Sequence, residues 1–176
     1  HFNLVVGAAG SGQDPWALKA MEFSTAIFVV TSADVIVLNQ TRRTLAKIQE
    51  LLFPPEMVQV IINRFAQTSL VTPAMIQKNL NRAIFAAVPE DTATCDGSLA
   101  KSIPICIAAP NAPVARAYHD IVRKMQQTNL LEQLARLKKP TGVAAKATAA
   151  LAPAGGGPKG ETAQSGQSAR SANGTM

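Results

Sequence analysis

Short, continuous apolar runs alternate along this chain with longer stretches whose apolar residues fall three and four apart. The runs lie at residues 2–6, 26–31, 58–63 and 84–88. Each is bounded by turn-forming or polar residues, and each predicts a strand. The run at 26–31 is apolar on both faces, as a buried parallel strand should be. The intervening stretches carry helical spacing. Asp14-Pro15 predicts an N-cap and first helical residue for a helix over 16–24, with Leu18 and Met21 inward. Ser32 or Asp34 caps a second helix running to about Leu52, whose inner face is Leu38, Leu45, Ile48 and Leu52. Pro54-Pro55 stops it. Pro73 starts a short helix through Ile76 and Leu80, and 92–102 reads as helix weakened by Gly97. Residues 103–107 predict a short strand. Asn111 then caps a long helix striped by Val114, Tyr118, Ile121 and Met125, continuing through Leu130, Leu134 and Leu137 with Asn129 as an interruption.

Strand alternating with helix is the pattern of a parallel sheet covered on both faces. The fold class implied is α/β, the latter half of a doubly wound, mostly parallel sheet. Such sheets bind ligands beyond the carboxyl ends of their strands, which places the candidate chemistry at Gly7, Thr31, Asn63 and Pro89.

Composition divides the 176 residues in two. Hydrophobic residues make up 47 %, which excludes disorder over most of the length. After Pro140 the chain becomes rich in Ala, Gly, Ser, Thr and Pro, with Gly155-Gly-Gly-Pro158 as linker chemistry. Residues 1–138 are therefore read as the folded part and 139–176 as a disordered, basic tail. Residues 1–136 carry 12 Lys/Arg against 10 Asp/Glu, and residues 137–176 carry 5 against 1, so the net charge of +6 is mostly that of the tail. A flexible basic tail can touch nucleic acid or anionic lipid, or simply solubilise the chain. No apolar run reaches the roughly 18 residues of a membrane span, and the first residues do not read as a signal peptide. The chain begins at His1, so a fragment or incomplete gene product is expected. Cys95 and Cys106 are too far apart for a CxxC pair, and His1 and His119 form no metal-binding cluster. Reduced thiols in a cytoplasmic protein follow.

Few residues carry candidate chemistry. Gly7-Ala-Ala-Gly-Ser-Gly12 can bring backbone N–H groups close to a phosphate, or it is a plain strand-to-helix loop. It is neither GxxxxGK[ST] nor GxGxxG and holds no lysine. Asn63-Arg64 stands at a strand's carboxyl end, where an amide can pair with a nucleobase edge or simply form a turn. Pro89-Glu90-Asp91 either lines a base pocket or is an ordinary loop that starts a helix. Ser11, Ser98 and Ser102 have no histidine that the sequence places beside them. His119 reads as a helix-surface residue, and Arg42-Arg43 as a solvated helix face.

The order of Phe2-Asn-Leu-Val-Val6, Phe28-Val-Val-Thr-Ser-Ala-Asp34, Val60-Ile-Ile-Asn-Arg64 and Val88-Pro-Glu-Asp91 resembles the latter half of MinD/ParA-type P-loop ATPases. Within them it is most similar to the CpaE/TadZ group of Flp/Tad pilus-assembly proteins. Ser102-Ile-Pro104 and Ala109-Pro-Asn-Ala-Pro-Val-Ala-Arg116 add to the resemblance, which covers roughly residues 2–127. It implies a domain that dimerises around ATP and Mg²⁺ and places pilus or secretion machinery at the inner membrane, often at a pole. By position, Asn63 matches the adenine-contacting Asn, with Arg64 beside it, and Pro89, Glu90 and Asp91 match the segment closing over the base. The family's Walker A loop belongs upstream of His1, and Gly7 stands where the family has an Asp that organises Mg²⁺ and water. The expectation is a chain that supplies the adenine side of an ATP site and by itself neither hydrolyses nor tightly binds ATP. Two rivals stand beside it. One is a pseudo-ATPase scaffold that binds partners without nucleotide. The other is a DNA-binding partitioning ATPase, disfavoured by a balance of only +2 on the folded part.

Overall fold

The computed structural model describes residues 4–10, 14–137 and 141. Three parallel strands, β1 (Ile27–Thr31), β2 (Val58–Phe65) and β3 (Ile84–Pro89), form a sheet in that order. The helices are α1 (Pro15–Phe23), α2 (Val35–Glu50), α3 (Pro73–Leu80), α4 (Thr92–Ala100), α5 (Ile105–Ala108), α6 (Pro113–Gln127) and α7 (Leu130–Ala135), with a 3₁₀ turn at Pro55–Met57. None of the described helices is long and apolar enough to cross a membrane.

One core joins sheet and helices. Ile27, Val58, Val60 and Ile62 alternate onto the face where Leu38, Leu45 and Ile48 of α2 and Ile76 and Leu80 of α3 pack. Residues between them along the strands point to the opposite face. There the rings of Phe28 and Phe85 meet edge-on at 5.6 Å. Lys124 of α6 lies 4.5 Å from the centre of the Phe85 ring and donates to the Phe85 carbonyl at 2.6 Å. Helices therefore cover both faces, as the alternating pattern predicted. The second cover is partial: Val30, on the side of Phe28, is 58 % exposed, so β1 is not apolar-buried on both faces. The outer edge of β1 has no partner among the described residues.

Local chemistry sets the helix boundaries. Asp34 caps α2, its Oδ1 accepting from the N–H of Ile36 at 2.8 Å and of Val37 at 3.0 Å. Thr72 caps α3 and Asp91 caps α4. Proline stands at the first turn of α1, α3 and α6. Leu18 and Met21 are buried as predicted, and Asn129 breaks the last helix in a left-handed conformation.

Several expectations are corrected. Leu4, Val5 and Val6 form no strand and are exposed, because an apolar run becomes a strand only where a neighbour satisfies its backbone, and none of the described strands pairs with it. Residues 103–107 are not a strand. The Ile103 N–H donates to the Ser98 carbonyl at 3.2 Å and its carbonyl accepts from the Ser98 hydroxyl, so both backbone groups are spent locally. Ala108 N–H then bonds to Pro104, making α5. Asn111 does not cap α6; Ala112 holds that position before Pro113. Leu52 is turned out of the core by its left-handed backbone, φ 63°, and Phe53 is buried instead. The predicted tail lies outside the described residues except for Thr141.

Candidate functional site

The carboxyl edge of the sheet is built from the exits of β1, β2 and β3. Thr31 ends β1 but is buried, its hydroxyl 2.9 Å from that of Thr41 on α2. It anchors the strand to the helix and does not face the crevice. The chain then turns through Ser32, Ala33 and Asp34 into α2.

The exit of β2 is irregular. Ile62 pairs with Ala87 and Phe65 with Pro89, so Asn63 and Arg64 together face the single residue Val88. Such a bulge bends a strand and re-aims side chains, and bulges concentrate beside active sites. Arg64 carries it in a left-handed conformation, φ 52°, which costs a non-glycine residue about 1–3 kcal/mol and persists where the surroundings enforce it. Just beyond, the Glu90 N–H donates to the Phe65 carbonyl at 3.1 Å, fixing the exit of β3 against that of β2.

A shallow depression of about 280 Å³ opens here, lined by Ser32, Ala33, Asp34, Arg64, Ala66, Ser69 and Glu90. It is just below the range of about 300–1,000 Å³ usual for ligand pockets. An Arg64 guanidinium nitrogen lies 3.4 Å from Glu90 Oε1, in a pair that is largely exposed on both sides. Asp34 spends one carboxylate oxygen on its helix cap. One Arg against Asp34 and Glu90 gives the lining a formal charge of −1. A negative surround repels phosphate and suits a neutral group with both donors and acceptors. A larger depression, about 380 Å³ beside Gln77, Lys78, Asn81 and Arg82, lies at the end of α3 and the approach to β3. That is the wrong edge for a parallel sheet, whose ligands sit beyond the carboxyl ends.

The predicted site residues divide accordingly. Arg64 and Glu90 meet in the depression. Pro89 stands in the ladder opposite Phe65, and Asp91 accepts from the Thr94 N–H at 3.2 Å as the cap of α4. Asn63 is partly buried and does not line the depression; by alternation it belongs with Gln59 and Ile61 to the face on which α6 lies. Ser32, Asp34 and Ser69 were not singled out as site residues, and only their place after strand ends hinted at them. In the described part of the glycine loop nothing gathers: a Cβ added at Gly7 or Gly10 meets no atom within 4 Å. Gly10 has φ 55° and needs glycine for its backbone alone. His119, Arg42 and Arg43 are exposed on their helices, and Cys95 and Cys106 are partly buried free thiols. Among the described residues no group of three His, Cys, Asp or Glu side chains is placed to hold a metal.

No protein-family model and no curated protein matches this chain. Solved structures do. A ParA family ATPase from Chlorobium tepidum superposes with a TM-score of 0.53 at 20 % identity, over 69 % of this chain and 45 % of that one. The septum site-determining protein MinD of Pyrococcus horikoshii, solved with Mg-ADP, gives 0.52 at 22 % identity over 69 % and 48 %. The MinC:MinD cell division complex of Aquifex aeolicus gives 0.52 at 17 % identity over 59 % and 43 %. The chain thus spans a little under half the length of these proteins. At such identities the likeness is one of fold, and the described residues carry part of the P-loop NTPase-like α/β fold seen in MinD and ParA-type ATPases.

Proposed function

We propose that this chain is the base-binding side of a MinD/ParA-like ATP-binding protein, most similar in its motifs to those that localise Flp/Tad pilus or secretion machinery at the inner membrane. The observation that carries the reading is the bulged, strained exit of β2 beside the Arg64–Glu90 depression, at the edge where parallel sheets bind ligands. A surround with a formal charge of −1 fits an adenine and not its phosphates. Phosphate and Mg²⁺ chemistry need a lysine-bearing loop, and the Gly7–Gly10 stretch has neither lysine nor a close-packed cradle. Residues 1–138 act as the partial domain, with Arg64 and Glu90 lining the base site, Asn63 reaching one edge of the base from the strand face beside the bulge, and Pro89 and Asp91 flanking it. A dimer around ATP is the working assembly of the complete protein.

Adenosine titration of this chain, followed by amide chemical shifts, tests the reading. Shifts confined to residues 32–34, 63–69 and 88–92 are expected. Asn63→Ala should weaken binding about tenfold, as for other amide–adenine pairs, without lowering the melting temperature. A lowered melting temperature with unchanged affinity would make Asn63 a structural turn residue. No shift at millimolar adenosine would favour the scaffold reading, which Gly7 in place of an acid also favours.

A further inference from the structure

We infer that Cys95 and Cys106 are a reversible dithiol pair, closed by a small-molecule disulfide oxidant into a bond that latches α5 onto α4. The inference is independent of the base-binding reading. α4 and α5 follow one another across a turn at residues 101–104 and pack on each other. Two bonds between the same residues clamp this turn. The Ile103 N–H donates to the Ser98 carbonyl at 3.2 Å, and the Ser98 hydroxyl donates to the Ile103 carbonyl. Cys95 stands three residues before Ser98, and Cys106 stands three residues after Ile103. The two thiols are therefore symmetric about the clamp, each about one helical turn out from it, and residues three apart share a helix face. The burial pattern agrees. On α4, Asp96, Gly97 and Leu99 are exposed while Cys95 and Ser98 are not; on α5, Ile107 and Ala108 are exposed while Cys106 is half-buried. Each thiol thus lies on the inward side of its helix, and both are free.

Core packing does not account for the pair. A buried cysteine serves a core as a small hydrophobe, but α4 buries only Ser98 and α5 buries no residue. An element with so few buried contacts opens at low cost, so an oxidant reaches the thiols, and a bond between them then decides how firmly the two helices hold together. A disulfide needs Cα atoms about 4.4–6.8 Å apart, a spacing that turns adjoining a direct main-chain clamp can meet. Closure balances by thiol–disulfide exchange. One cysteine thiolate attacks a sulfur of the oxidant, whose other half leaves as a thiolate. The second cysteine thiolate attacks the mixed disulfide and expels the remaining half. The two cysteines give up two electrons and two protons, and the oxidant is reduced to two thiols. In a reducing compartment such bonds are transient and redox-sensing. The latch adjoins the carboxyl edge, because α4 starts at its Asp91 cap beside Glu90 of the depression and α5 leads on to α6.

Oxidised glutathione titrated against the whole chain, followed by acid quenching, alkylation and tryptic mass spectrometry, tests the latch. Trypsin cuts after Lys101, so the bond joins peptide 83–101 to peptide 102–116, and dithiothreitol should part them again. The effective concentration of one thiol for the other should be about tenfold or more higher in the folded chain than in concentrated urea. Closure should slow amide exchange across residues 92–108 about tenfold or more. Ser98→Ala unclamps the turn and should bring the effective concentration towards its value in urea. Cys95→Ser and Cys106→Ser should each stop at a single mixed disulfide with glutathione. An effective concentration in the folded chain no higher than in urea would overturn the pairing, and so would stable mixed disulfides on both cysteines of wild type. Linked peptides that form only between isotope-labelled and unlabelled chains would overturn it as well. A bond that closes within one chain and leaves amide exchange unchanged would overturn the latch, and closure in Ser98→Ala as ready as in wild type would overturn the clamp as its cause.

Discussion

The Thr31–Thr41 pair offers a test of how the β1 exit is held beneath the site. Both residues are buried, 2 % and 5 % exposed. Their hydroxyl oxygens are 2.9 Å apart, and Thr41 Oγ1 is also 2.8 Å from the Val37 carbonyl. Each hydroxyl has one proton. The arrangement that uses both has Thr31 donating to Thr41 and Thr41 donating to Val37. Thr41→Val then strands the Thr31 proton in the core at a cost of about 1–3 kcal/mol. Thr31→Val leaves the Thr41-to-Val37 bond intact and costs less, about 0.5–1 kcal/mol. The double variant removes donor and acceptor together, so it should be more stable than Thr41→Val alone. Urea unfolding of the four proteins gives the cycle, and for a folded part read as residues 1–138 each kcal/mol moves the melting point by about 4 °C. Equal single effects that simply add in the double variant would refute the directed chain of hydroxyls.

Two further predictions concern the same corner. Asp34→Ala removes the α2 cap bonds at 2.8 and 3.0 Å and should cost about 1 kcal/mol; Asp34→Asn keeps the cap and should be near wild type, which denaturant midpoints will distinguish. Val30→Lys puts a charge on the exposed edge strand and should reduce self-association measured by light scattering, since edge lysines block strand addition.

The parts of the fold legible in the sequence are those where local signals and burial agree. The runs that became β1, β2 and β3 are apolar and end in turn residues, and α2 shows its Leu38, Leu45 and Ile48 stripe without ambiguity. The failures share a cause: a tertiary or backbone condition invisible to periodicity. Residues 4–6 have strand composition but pair with none of the described strands. Residues 103–107 have strand composition too, yet Ser98 captures both backbone groups of Ile103. Leu52 fits the helical stripe, but the left-handed turn that ends α2 swings it into solvent. At the carboxyl edge, strand-end position pointed to Arg64 and Glu90, which line the depression. The bulge that separates Arg64 from Asn63 depends on register with β3, which no local pattern encodes. Asp91 looked like a base-closing residue and is also the cap of α4, because an acidic residue before a helix serves both descriptions.

The site and the sheet's open edge lie on one element, and this couples them. Among the described residues β1 carries an unpaired edge with Val30 exposed, and no charged residue occurs between Glu22 and Asp34 to guard it. The same strand ends at Thr31 and delivers Ser32 and Asp34 to the depression. A strand added to that edge would fix the twist of β1 and hence the placement of those two side chains against Arg64 and Glu90, which β2 and β3 position independently. Base affinity should therefore respond to what pairs with β1, although the pairing is remote from the base. Comparison of adenosine affinity in Val30→Lys with wild type at increasing protein concentration separates the possibilities. A concentration-dependent affinity in wild type that vanishes in Val30→Lys would mean that edge pairing tunes the site. Equal, concentration-independent affinities would mean that α2, through its Asp34 cap and the Thr31–Thr41 bond, is sufficient to hold β1's exit in place.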